Sequence, residues 1–94
     1  MNNGVMIKVP GWVGEMELLG LLRQDLQLKL AYYESQCRIF ERKYRKTLAE
    51  FDAELPADKQ EGFQKWEDFM DWETADSARL EIAQRLQELV EWKI

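Results

Sequence analysis

The chain has 94 residues and a mass of 11.2 kDa, which allows one domain. With 33% charged and 46% apolar residues it is neither disordered in bulk nor membrane-embedded. The formal net charge is −5, histidine is absent and cysteine occurs once, which excludes a triad with an imidazole base, a His-containing zinc site and an internal disulfide.

Residues 1–13 read as a short extended arm. Val5–Val9 is an apolar, β-branched run closed by the Pro10–Gly11 turn signal, and it suits either a single strand or a bare arm. A lone strand forms no sheet, so Val5, Ile7, Val9 and Trp12 are candidates to contact the helices or another chain. No basic region precedes a long apolar core here, so no signal peptide is expected. In the body of the chain no uninterrupted apolar run exceeds four residues, and the Leu pairs at 18–19 and 21–22 are separated by Gly20. That is far short of the roughly 20 needed to span a bilayer. A soluble, cytoplasmic protein is expected, and a single thiol at Cys37 fits a reducing compartment.

Residues 15–55 predict one long helix. Leu19, Leu22, Leu26, Leu30, Tyr33, Cys37, Phe40, Tyr44, Leu48, Phe51 and Leu55 recur at steps of three or four. They make ten steps over 36 residues, the period of a straight α-helix, and fall within an arc of about 80°. Pro56 stops the helix, and residues 56–63 form the connection, where Asp58 and Glu61 have capping-box spacing. Residues 64–92 predict a second helix with Trp72, Ala75, Ala78, Ile82, Ala83, Leu86, Leu89 and Val90 on one face. Phe63, Trp66 and Met70 fall on another, so the helix either bends near Phe69–Asp71 or turns its start toward a different neighbour. The expected fold is all-α: a long antiparallel two-helix hairpin, coiled-coil-like, in a single domain over residues 1–94.

The first helix is expected to outlast the second. It also carries a second apolar row, Leu18, Leu21, Leu28, Tyr32 and Ile39, on another side of the wheel. A helix apolar on two sides is normally buried on two sides, and one hairpin partner covers one. Burying five large side chains at ~1.5–3 kcal/mol each is worth on the order of 10 kcal/mol, comparable with the stability of a whole small domain. Two hairpins pairing through this row into a four-helix bundle is the first reading. Cover by the N-terminal arm within one chain is the other.

Little catalytic chemistry is on offer. Residues 66–76 hold Glu67, Asp68, Asp71, Glu73 and Asp76, but without histidine, and the expectation is a solvated acidic face near a helix start, where negative charge is favoured. Neither metal nor cofactor is expected. Arg38, Arg42, Arg45 and Lys46 are placed on one side of the first helix, as a contact for an anionic partner or as an offset to the hairpin's own acids. Against nucleic acid stands the charge elsewhere, since residues 47–94 carry a net −8. Cys37 lies on the main stripe as a small buried hydrophobe, and Ser77 has no glycine-rich elbow. The cluster Phe63, Trp66, Phe69 and Trp72 suits a plug for the end of the hairpin, beside Phe51 and Tyr44, or an aromatic binding patch.

The string YYES at 32–35, the F-E-R-K-Y of 40–44, the L-A-E-F of 48–51, the F-x-K-W-E-D-F-M-D-W-E of 63–73 and the opening M-I-K-V-P-G-W-V resemble a set of small bacterial and archaeal helical proteins encoded beside toxin genes. These are the antitoxin-like member of a two-gene module. The resemblance covers nearly the whole chain and rests on aromatic and acidic core patterns. Where that family has K-Y-G-M-S this chain has K-Y-R-K-T at 43–47, so no helix break is expected near Tyr44. What the resemblance implies is a non-enzymatic hairpin that masks a partner protein. The expected function is therefore a protein–protein interaction module acting on a cognate toxin, with homodimerisation. The alternatives are a structural or adaptor homo-oligomer and a nucleic-acid-linked regulator using residues 38–46.

Overall fold

The computed structural model describes residues 8–92. It shows three helices, α1 (Glu15–Tyr44), α2 (Leu48–Ala53) and α3 (Phe63–Trp92), and no strand among the described residues. Val5 and Ile7 of the arm lie outside the described residues. Val9 precedes a turn at Gly11–Trp12, closed by the Val13 amide donating to the Pro10 carbonyl at 3.0 Å.

α1 starts at Gly14, whose amide donates to the Glu17 carboxylate at 3.5 Å, and Glu15 and Glu17 set negative charge in its first turn. It ends at Tyr44, which corrects the expectation of one helix over 15–55 and of unbroken helix past Tyr44. Arg45 adopts left-handed backbone, φ 55° and ψ 41°, with its amide on the Glu41 carbonyl at 2.7 Å. Such a turn costs a non-glycine residue about 1–2 kcal/mol. Two features offset it. Thr47 and Glu50 form a reciprocal capping box, the Glu50 amide donating to Thr47 Oγ1 at 3.1 Å and the Thr47 amide to Glu50 Oε1 at 2.8 Å. The redirected α2 then buries Phe51 against Tyr44 and Trp72, with ring centroids 4.2 and 5.6 Å apart. A straight continuation would have carried Phe51 past the start of α3.

α1 and α3 each have 30 residues, so the first does not outlast the second. They run in opposite directions. Phe40 and Tyr44 stack on Trp72, Lys43 reaches Asp68, and Leu19–Leu26 lie beside Arg85–Leu89. The molecule measures 59 × 26 × 23 Å. Cys37, Phe51, Phe69, Trp72 and Ala75 form the core, packed round by Tyr33, Phe40, Tyr44, Leu48, Leu55 and Trp66. The α1 stripe thus faces α3 as its spacing dictates. On α3, Ile82 is buried, while Val90 is exposed although it shares the inward phase.

α3 is unbroken past Asp71. Its first turns meet a different neighbour instead: Trp66 Nε1 donates to the Pro56 carbonyl at 3.0 Å. Phe63 and Met70 point to solvent, and Phe69, absent from the predicted face, is buried. In the connection the Asp58 carboxylate accepts from the Gln60 amide at 2.9 Å and the Glu61 amide at 3.4 Å, shaping a turn rather than a helix start. Gly62 is buried under the Pro56 ring, where a Cβ would come within 2.5 Å of Cγ. Its requirement is close approach.

Trp72 is 1% exposed, whereas Phe63 of the same aromatic-rich stretch is open to solvent. Trp72→Ala is expected to cost about 3–5 kcal/mol, a large share of the stability of a domain this size. Phe63→Ala is expected to change stability by less than about 0.5 kcal/mol. Urea denaturation followed by circular dichroism checks both.

Candidate functional site

The second row of α1 is open. Leu18, Leu21, Leu28, Tyr32 and Ile39 are between 41% and 67% exposed along one flank of the helix. The main stripe, by contrast, packs on α3 and α2 from Tyr33 to Leu55. The described part of the arm leaves the row uncovered, since Val9 is exposed and Trp12 is 77% exposed.

Beside the row, at the α1 start and the α3 end, the two helices leave an open groove of about 560 Å³. Leu19, Leu22, Leu26 and Leu89 form its apolar floor, and Asp25, Lys29, Arg85 and Glu88 line its rim. Packing is thinner here than around Trp72: Leu26 is buried but Leu22 remains exposed.

The four cations of the basic patch are divided between α1 and the turn that follows it. Arg38 and Arg42 stay on α1 and are exposed, but Arg45 sits in the left-handed turn beyond the helix, and Lys46 is ion-paired to Glu54.

One of the five acids is not solvated. Asp68 is 6% exposed at the α1–α3 seam. Its Oδ2 accepts from Lys43 Nζ at 2.6 Å and from the Tyr44 hydroxyl, and its Oδ1 from Gln64 Nε2 at 3.0 Å. Burial pushes the carboxyl up, yet the hydrogen bonds from Lys43, Tyr44 and Gln64 outweigh it, and the group lies below its ordinary value. Tyr44 is raised, by burial first and then by Asp68, and Lys43 is raised by its bond to Asp68. This cluster fastens α1 to α3. A signal for it existed in the sequence: Asp68 lies four residues before Trp72, in the phase of the inward face.

Cys37 is buried, and burial first, then the charge of Asp76, pushes its thiol up. Asp76 is engaged by Arg79, with Nη2 at 2.6 Å and Nε at 3.1 Å. Ser35 donates to the Tyr32 carbonyl at 2.7 Å, and Ser77 is exposed. Among the described residues no group of three or more His, Cys, Asp or Glu side chains could hold a metal ion, and no helix is long and apolar enough to cross a membrane.

Compared with known proteins, the chain matches no protein-family model, no curated protein and no solved structure.

A depressed carboxyl contributes stability above its ordinary range and loses it as pH falls and the group protonates. The raised Tyr44 and Lys43 act at the other end, losing their contribution as pH rises past about 10. Stability is expected to hold between about pH 5 and 9 and to fall below about pH 4. Asp68→Asn is expected to lower it by about 2 kcal/mol at neutral pH and to flatten the acid limb. Denaturant midpoints across pH measure this. The Cys37 thiol is expected to react with a thiol reagent at pH 7 only on the timescale of opening, and in one fast phase once the chain is unfolded in urea.

Proposed function

We propose that this chain is a non-enzymatic protein–protein interaction module. In this reading α1 and α3 form a helical hairpin that pairs with a second copy through Leu18, Leu21, Leu28, Tyr32 and Ile39, giving a four-helix bundle. The assembly then masks a cognate partner protein, as the resemblance to antitoxin-like proteins implies.

The observation that carries the reading is the open second row. Exposing five large apolar side chains in register along one helix is costly to solubility, and such rows mark contact surfaces. The acidic surface of α3 supports a basic partner: residues 63–92 hold eight acids and three bases. The exposed Trp12 gives the base of the arm an apolar contact for the same partner. The nucleic-acid reading is the weaker one, because residues 47–94 carry a net −8.

Sedimentation of the purified chain tests the module. A dimer is expected at tens of micromolar, and Leu21→Glu with Leu28→Glu is expected to give a monomer with unchanged helicity, since both side chains face solvent in the single chain. A native chain that stays monomeric at that concentration overturns the reading. Co-purification with the product of the adjacent gene, lost on deletion of residues 1–12, separates a masking protein from a purely structural homo-oligomer.

A further inference from the structure

The exposed row has a different period from the buried stripe. Positions 18, 21, 25, 28, 32, 35 and 39 alternate steps of three and four without exception, the a and d positions of a strict heptad. They read Leu, Leu, Asp, Leu, Tyr, Ser and Ile, and the next d position is Arg42. Period 3.5 is the signature of a coiled-coil seam, and the seam is polar at three of its eight places.

Those polar places decide the orientation. A parallel, in-register pair would set Asp25 against Asp25 and Arg42 against Arg42 of the second copy, with like charges in two layers. An antiparallel pair crossing at residue 30 sets Leu21 against Ile39, Leu28 against Tyr32, Asp25 against Ser35 and Leu18 against Arg42, each layer occurring twice. Apolar meets apolar, and the acid meets a hydroxyl. The Arg42 stem covers Leu18 while its guanidinium reaches Glu17 on the next position. Residue 30 also lies within half a residue of the midpoint of Glu15–Tyr44, so the same register overlaps the two helices over nearly their whole length. Lys29 approaches its counterpart near the axis, each held by its own Asp25 at 3.0 Å. α1 as a whole carries five acids and five bases, so its approach to itself meets no net repulsion, unlike that of α3.

Resting on the reading that the row receives a second copy, we infer that the chain forms an antiparallel α1–α1 homodimer centred on Leu30, with Glu17 and Arg42 pairing across it at both ends.

Charge reversal tests this in the native chain. Glu17→Arg and Arg42→Glu are each expected to weaken the dimer about tenfold, because two attractive pairs become repulsive, and the double variant to return to within about twofold. Cross-linking is the second arm, on chains in which Cys37→Ala removes the native thiol. Chains carrying Leu21→Cys mixed with chains carrying Ile39→Cys are expected to form the mixed disulfide. Leu21→Cys alone forms none, its thiols being about 27 Å apart along the axis. Rescue by the double reversal together with the mixed disulfide supports the arrangement. A dimer with no rescue and a Leu21→Cys self-disulfide overturns the orientation but leaves the interaction module standing. A chain monomeric at every concentration overturns both.

Discussion

Trp72 is the point where the three helices meet, and the rest of the architecture follows from keeping it dry. Phe40 and Tyr44 stack on it from α1, and Phe51 closes over it from α2. Two of these contacts come from one straight helix. The third requires the chain to change direction within three residues. The left-handed Arg45 and the Thr47–Glu50 cap are the means by which it does so. Asp68, one turn before Trp72, adds a polar fastener at the same level. It draws Lys43 and the Tyr44 hydroxyl onto α3 and thereby fixes the axial register of the helix pair.

Much of this was legible in the spacing of apolar residues. The stripe from Leu19 to Leu55 names the face that α1 and α2 turn to α3, and the α3 boundaries fall within a residue of the Gly- and Pro-free segment. The break at Arg45 was not legible from the stripe, because Tyr44, Leu48 and Phe51 keep helical spacing whether the chain runs straight or turns. The T-x-x-E of residues 47–50 was the local mark of a new start. It was outweighed by a periodicity that a hydrophobic pattern alone cannot interrupt. Asp68 was hidden by its company: four other acids within ten residues suggest a wetted face. Its phase relative to Trp72 and Ala75 points inward instead, and the cation that meets it arrives from 25 positions earlier in the chain.

The two faces of α1 divide the helix's work. The 3.6-residue stripe keeps to one side of a straight helix and suits packing within the chain. The 3.5-residue seam drifts slowly round it and suits a partner helix that coils with it. Strong packing is concentrated at the Trp72 end, while the opposite end is held by Leu19, Leu22 and Leu26 around an open groove. A helix laid along the seam, as in the proposed pairing, would restrain that loose end from outside, and fold stability would then be coupled to association.

Charge places the remaining surface. The bases balance the acids on α1, whereas α3 has eight acids to three bases, one of the eight buried and neutralised by Lys43. The helix with the apolar seam is thus the neutral one, and the helix without a seam carries the field. Like-charge repulsion disfavours two copies meeting through α3, and desolvation disfavours leaving the α1 seam bare. Together these terms sort the molecule into a neutral side with an exposed apolar row and a strongly acidic side.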